Sequence, residues 1–409
     1  MLSSIKRSDV IVVGAGAAGL AAATEAGRSG QRVLLLEKNP KPGLKILISG
    51  GGRCNLTTSL DARAAEAEFG RQGGRFLRHA LRTTPPESIR AWVEERGVAT
   101  VEEGLQKVFP ASGRARDVLD ALLARARDAR VELHTGCPVL DIEDARPGVW
   151  RVRTPKGRIE CRKLVLASGG ASYPGTGTVG EGYRWLAELG LEVSPPRPAL
   201  CPLRADAAWV EALEGLTLSS VEAQLRESSG RILVRRRRPI LFTRHGVSGP
   251  GAMDLSRWLT REPERYRLHV DLVPDLSERE LAALCFAGPG KLLSRLRRAG
   301  IPKRLAIHLL DSLGIPEAAA AQVPATGRRR ILASLKGFEI PVRGSLGFRR
   351  AELTTGGLCL DEADPRTMQV RSRQGLYVTG ELLDVDGPIG GFGFLVAFTS
   401  GVLAGRAIP

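Results

Sequence analysis

Cysteine occurs six times in 409 residues but never in a C-x-x-C pair. Close pairs are what a disulfide scaffold, a zinc site or a disulfide-reducing flavoenzyme requires, so the spacing excludes all three. Cys137, Cys161, Cys201, Cys285 and Cys359 read as reduced, semi-apolar packing residues. Long apolar runs are also missing: no uninterrupted segment reaches the roughly 18 residues of a membrane-spanning helix. The basic start MLSSIKR meets the first strand without the small-residue cleavage site of a signal peptide, which predicts a cytoplasmic protein. Acidic residues are in deficit, 44 against 60 Lys and Arg, for a net charge of +16. That excess permits an anionic partner without identifying one. Aromatic residues, 5% of the chain, do not interleave with the basic ones as a single-strand-binding platform requires. The densest basic run, Arg235–Arg238, falls in a strand-like segment whose alternate side chains face opposite ways, so a solvated face is favoured over a specific nucleic-acid surface. The remaining composition, 43% hydrophobic and 25% charged, is that of a globular protein of two or three domains.

The strongest positive signal is at the N-terminus. The strand DVIVV runs into Gly14, Gly16 and Gly19, an Ala-rich helix follows, and a second strand, RVLLLEK, delivers Glu37. In this strand-turn-helix context the G-x-G-x-x-G spacing predicts dinucleotide binding. The first glycine makes the turn, the second admits a pyrophosphate to the backbone, and the third lets helix and sheet pack closely. The amides of Ala17 and Ala18 open the helix whose positive end faces the phosphates. Glu37 is placed to accept the adenosine ribose hydroxyls and to disfavour a 2′-phosphate. A second triplet, Gly175, Gly177 and Gly180, is separated from its strand by GGASYP and has no following strand ending on an acid. It reads as a mobile glycine loop near the cofactor rather than a second nucleotide domain.

Strands and helices alternate as far as about Leu191, including a buried strand KLVLAS that ends on Gly169 and Gly170. The proline-dense SPPRPALCPL then marks a domain crossing. Beyond it a hairpin turning at Ser228–Gly230 and a strand RYRLHVDLVP predict a small β domain, and helical patterns run from Ser277 to about Leu335. After Gly337 the chain returns to strand and glycine, with GLYVTGE ending on Gly380 and Glu381 and a helix opening after Gly390 and Gly391. Both chain ends are therefore expected to build one cofactor domain, residues 1–194 with 338–409, interrupted by a β domain at 195–275 and a helical domain at 276–337. FAD is longer than a nicotinamide cofactor and needs a second anchor for its ribityl arm, a role that Glu381 fits.

Five blocks in this order, the N-terminal fingerprint, KPGLKILISGGGRCNLT, LVLASGGASYPGTGTVGEGY, ILFTRHGVSGP and LTTGGLCLDEADPRTM with GLYVTGELLDVDGPIGG, carry a resemblance over nearly the whole chain. The sequence resembles the YhiN-like and BaiN-like (aminoacetone oxidase-like) family of FAD-dependent oxidoreductases. The resemblance implies a discontinuous α/β FAD domain of the two-dinucleotide-binding, Rossmann-like kind, with inserted β-barrel-like and helical domains and non-covalent FAD. It places Gly14, Gly16, Gly19, Glu37, Lys38 and Lys45 along the adenosine and pyrophosphate half. Gly51, Gly52, Arg53, Cys54 and Asn55 then pass close to the flavin, and Thr355, Gly356, Gly357, Gly380, Glu381, Asp386, Gly390 and Gly391 line the ribityl and ring half. Two departures from the family pattern stand out: Gly393 and Leu395 replace Asn and Gln, making the flavin side more apolar, and Arg244 with His245 follows the Thr of ILFT where members have His.

Flavin carries hydride chemistry itself, so the protein need supply only binding, orientation and charge. Arg53 is a candidate preorganised cation for reduced flavin or a substrate carbonyl, or else a loop-fixing ion-pair partner. Cys54 beside it is either a thiolate of lowered pKa or a packed thiol. Tyr173 and His245 are candidate proton donors. The expected function is an FAD-dependent reductase of a small or medium organic substrate with NAD(P)H as transient donor and no metal. Its partner is then a small molecule, nothing selects an oligomeric state, and nucleic acid is not favoured. An enone-type reductase follows from the bile-acid branch of the resemblance and an amine oxidase from its other branch. A flavin-dependent RNA modifier and a flavin-binding sensor without turnover are the remaining alternatives.

Overall fold

A computed structural model describes residues 6–259 and 266–409. The first five residues of MLSSIKR, and Arg265 at the start of the expected strand RYRLHVDLVP, lie outside the described residues. The chain divides into two compact units, Met1–Pro198 with Glu352–Pro409, and Ala199–Ala351.

The first unit is a doubly wound sheet. Its elements are β1 (Lys6–Val13), α1 (Ala17–Arg28), β2 (Val33–Leu36), α2 (Gly70–Thr83), β3 (Glu132–His134), β4 (Asp141–Arg146), β5 (Val149–Thr154), β6 (Gly157–Leu166), β7 (Leu376–Val378) and α3 (Phe392–Arg406). The sheet runs in the order β3-β2-β1-β6-β5-β4, with β7 also paired to β6. β3, β2, β1, β6 and β7 are parallel, while β5 and β4 form an antiparallel meander. Val10 to Val13 and Leu164 to Leu166 are buried, the continuous apolar signature of parallel strands covered on both faces. The C-terminal strand β7 joins the sheet in register with Leu164–Leu166, so both chain ends belong to one sheet.

Two helices from opposite ends of the sequence lock this arrangement. α1 is buried from Ala17 to Ala26, and alanine supplies both high helix propensity and a thin profile. α3 meets it through glycines: a Cβ on Gly401 would lie 2.4 Å from the Ala18 carbonyl oxygen, and one on Gly405 2.5 Å from that of Ala22. The i, i+4 match of 18 and 22 with 401 and 405 sets the two helices parallel.

The second unit holds two four-stranded antiparallel sheets, with no hydrogen-bonded closure into a barrel among the described residues. The hairpin Glu222–Glu227 with Ile232–Arg236 turns through residues 228–231, as its sequence suggested. Helices Glu278–Phe286, Leu292–Arg298, Lys303–Ser312 and Ala325–Lys336 follow, and Pro302 and Pro324 sit immediately before two of them. Two boundaries differ from the sequence expectation. Strand Phe338–Ile340 pairs with Tyr266–Asp271, which keeps residues 338–351 in the inserted unit. The helices and the sheets also share one hydrophobic core, with Leu268, Val270, Ile331 and Leu335 fully buried together, so the insert is a single unit rather than two. The strand expected to carry Arg235–Arg238 ends at Arg236; Arg235 is exposed and Arg236 half-buried within it, while Arg237 and Arg238 lie beyond its end, and Arg238 reaches the buried Asp254 at 2.9 Å.

Because backbone atoms face Gly401, a methyl there must push the helices apart. Gly401→Ala is expected to destabilise the protein by about 1–3 kcal/mol, the usual range for overpacking a filled interior. Thermal unfolding of the variant beside the parent measures this, and an unchanged melting temperature would contradict the close helix contact.

Candidate functional site

The three fingerprint glycines have distinct surroundings at the carboxyl edge of β1. Gly14 adopts φ +101, and a Cβ on it would lie 2.5 Å from the Ala167 carbonyl oxygen; one on Gly19 would lie 1.8 Å from that of Gly14. Gly16 differs: a Cβ there meets nothing within 4 Å. It is also the N-cap of α1, with no side-chain cap on the first amides. Open space over an uncapped helix N-terminus is a cradle for a diphosphate, so these residues fit the dinucleotide cofactor. Ala17 and Ala18 complete the first turn and are buried.

Glu37 is buried beside this turn. One carboxylate oxygen accepts from the Ala15 amide at 2.9 Å; the other accepts from the Asn39 amide at 2.8 Å and its side chain at 2.7 Å. These contacts hold the carboxylate oriented at the end of β2. Lys38 pairs with Glu181. The loop of the second glycine triplet packs here, since Asn39 donates to the Thr176 carbonyl at 3.2 Å and a Cβ on Gly177 would meet Asn39 at 2.6 Å.

Lys45 and Glu381 come from opposite ends of the chain and meet at 2.6 Å. Ser172 donates to Glu381 at 2.8 Å and accepts from Lys45 at 2.6 Å, and the Thr354 amide donates to Glu381 at 2.7 Å. Gly170 leaves room for this cluster, because a Cβ there would lie 2.4 Å from the Thr354 hydroxyl and 2.6 Å from Glu381. Tyr183 donates to the Glu381 carbonyl at 2.7 Å, and burial, reinforced by the Glu381 charge, holds its phenol well above the usual range. It therefore stays a neutral donor. The Gly380 amide donates to Ser400 of α3 at 2.9 Å, and Thr355 is buried in the adjoining strand Leu353–Leu358. Gly356 and Gly357 press against the Pro195 and Leu382 carbonyls, each within 2.5 Å of a would-be Cβ, and Asp386 is half-buried in the loop before α3. Gly169 abuts Thr178.

At the other end of the crevice, Gly50, Gly51 and Gly52 are exposed and left-handed in succession, and Gly51 has nothing within 4 Å of a Cβ. Three such residues present bare backbone to a ligand. Asn55, with its amide oriented to satisfy both neighbours, donates to the Thr57 carbonyl at 3.2 Å and accepts from the Gly391 amide at 2.9 Å. That bond ties this loop to the N-cap of α3, where Gly391 also lies against the Thr57 backbone and Gly390 against Phe392. Since α3 is level with Ala18 only at Gly401, its N-terminus projects about 12 Å beyond the start of α1. A molecule whose diphosphate lies on α1 thus meets the second helix N-terminus at its far end.

The catalytic candidates separate. Arg53 pairs with Glu103 and lies over the Phe109 ring at 4.3 Å. Cys54 is not a thiolate of lowered pKa: it is buried, and desolvation pushes its thiol up to about 12 against an opposing hydrogen bond with Ser49. Tyr173 is 37% exposed and follows Ser172 of the Lys45–Glu381 cluster. His245 is exposed in the Thr243–Gly246 turn of the inserted unit. Ser172, Thr354 and Tyr183 were not singled out from sequence, because each acts through a partner remote in the chain; Asn39 was missed although its main partner, Glu37, is two residues away. Among the described residues no group of three or more His, Cys, Asp or Glu is placed to hold a metal.

The family described as the HI0933-like protein Rossmann domain matches residues 8–407. A ribosomal RNA dihydrouridine synthase of Escherichia coli (strain K12) is 32% identical over 398 residues, 97% of this chain and 96% of that protein. A 3-dehydro-bile acid delta(4,6)-reductase of Clostridium scindens is 28% identical over 407 residues, 97% and 98% of the two chains. In fold, the chain is similar to a 3-ketosteroid-delta4-(5alpha)-dehydrogenase from Rhodococcus jostii RHA1, with a TM-score of 0.54 at 16% identity and coverage of 99% and 98%.

The contrast between Gly16 and Gly19 sets a paired test. Gly16→Ala is expected to leave the melting temperature of flavin-free protein unchanged yet abolish FAD retention, whereas Gly19→Ala lowers both. Loss of stability in Gly16→Ala would contradict the open cradle. With its thiol near 12, Cys54 is expected to escape iodoacetamide in the native protein at pH 8, as read by peptide mapping, and rapid alkylation there would refute the buried placement.

Proposed function

The chain belongs to the HI0933-like Rossmann family and is an FAD-dependent oxidoreductase; on that premise we propose that it uses NAD(P)H to saturate a carbonyl-conjugated carbon–carbon double bond of a uridine in ribosomal RNA. The observation that carries this reading is the end-to-end match to a ribosomal RNA dihydrouridine synthase. Sequence alone ranked an RNA substrate below a small molecule; the 32% identity of this relative, above the 28% of the bile-acid reductase, supports placing RNA first. The positive charge agrees with it: the inserted unit, 199–351, holds 26 Lys and Arg against 15 Asp and Glu, most of the chain's excess of 16. An excess of this kind draws a polyanion toward the protein.

Bound in the crevice, FAD supplies hydride transfer. In the uracil ring the 5,6 double bond is conjugated to the C4 carbonyl, so hydride goes to C6 and a proton to C5. Both electrons come from NAD(P)H, which leaves as NAD(P)⁺. Around that chemistry the Gly16 turn binds the diphosphate, Glu37 the ribose hydroxyls, and the Lys45–Glu381 cluster the ribityl arm. Tyr173 donates the C5 proton from its phenolic oxygen. Arg53 binds the carbonyl in exchange for Glu103, an exposed and therefore weak ion pair that a substrate can displace. The reaction belongs in the cytoplasm, where NAD(P)H and ribosomal RNA meet.

A second reading, reduction of a steroid-like enone, draws on the bile-acid reductase relative and on the apolar Gly393 and Leu395. Both readings use the same electron flow. Anaerobic incubation of purified protein with FAD, NADH or NADPH and unmodified ribosomal RNA transcripts, followed by nucleoside mass spectrometry, separates them. Dihydrouridine is expected to form, and Tyr173→Phe to slow its formation by about 10²–10⁴-fold, the usual contribution of a general acid. No dihydrouridine alongside turnover of a steroid enone would transfer the assignment to the second reading.

A further inference from the structure

Helix α2 reads GRQGGRFLRHALRT, with arginines at 71, 75, 78 and 82 and no acid. Intervals of four, three and four place the four on one helical face. The opposite face, Gly73, Phe76, Leu77, Ala80 and Leu81, is buried, and all four arginines are exposed. From the preceding helix Ala62–Glu68, Glu66 takes Arg78 at 2.8 Å. Arg71, Arg75 and Arg82 have no carboxylate partner among the described residues. Stability does not explain the pattern. Like charges at i, i+4 destabilise a helix, and Arg71 adds a cation to the first turn, where the helix dipole disfavours it.

The position of the stripe is as informative as its charge. Phe69, the residue before α2, packs edge-on against Phe392 with ring centroids 5.5 Å apart, and a Cβ on Gly73 would lie 2.9 Å from the Val385 side chain. Phe392 is the first residue of α3, whose N-terminus closes the far end of the cofactor crevice. The stripe therefore starts beside that end and runs away from it for about 16 Å, the rise from Arg71 to Arg82.

We propose that the outer face of α2 is a docking surface for the phosphates of the RNA strand that carries the target uridine. This rests on the RNA reading above and adds where the strand lies. The three arginines without an acid hold successive phosphates, and the crevice end receives the base.

Counterion release makes the surface measurable, since each phosphate contact on a single strand adds about 0.7 to the slope of log affinity against log salt. The protein with arginines 71, 75 and 82 all changed to Gln is expected to bind an unmodified ribosomal RNA transcript with a salt slope lower by about 2. Changing the same three to Lys is expected to restore it, and retained FAD confirms folding in each case. If the parent protein binds RNA and forms dihydrouridine but the Gln variant keeps the full slope, the docking surface is refuted and the function stands. A slope lost instead in Arg329→Gln with Arg330→Gln, exposed on helix Ala325–Lys336, puts the contact on the insert and also refutes it. A parent protein that binds no RNA overturns both.

Discussion

Between α1 and α3 there is space for hydrogen atoms and for nothing larger. Gly401 and Gly405 bring the last helix onto the Ala18 and Ala22 carbonyls, and the alanines of α1 offer no side chain that would hold it off. The contact joins residues nearly four hundred positions apart, so the 153-residue insert can leave and re-enter without opening the sheet. It also sets where the N-terminus of α3 stands relative to that of α1. Two electropositive helix ends, offset along one crevice, follow from a packing constraint rather than from any residue that touches a ligand.

Charge is organised across the same junction. Lys45, from the helix Leu44–Gly52 that follows β2, meets Glu381, from just after β7, and Ser172 and the Thr354 amide complete the carboxylate's partners. A partly buried pair of this kind contributes less through net stability than through what breaking it would cost, because removing either partner strands the other charge. It therefore fixes register between the chain ends. Glu37 plays the corresponding role at the end of β2, held by the turn that its neighbours build.

The parts of this architecture legible in sequence were those encoded locally. Gly14, Gly16 and Gly19 sit between an apolar strand and an alanine helix, and each spacing has a steric cause that the structure displays. The hairpin turn at Ser228–Gly230 was equally local. What escaped was set by pairing over distance. Residues 338–340 look like a return to the outer domain, but their hydrogen bonds go to Tyr266–Asp271. Cys54 beside Arg53 left an activated and a packed thiol open, and only the fold decides: the guanidinium turns to Glu103 and Phe109 while the thiol is buried. Ser172 and Thr354 carry no spacing rule at all, since their meaning depends on Glu381 arriving from the far end of the chain.

Reduction of a uridine and of an enone would share one electron path, so both proposed readings place the same demand on the crevice. The account as a whole stands on the two chain ends gripping one FAD together. Hydrogen exchange of the whole chain with and without FAD tests that directly. FAD is predicted to slow exchange at 14–20 and at 391–395 in the same titration, and protection at the first segment with none at the second would contradict it.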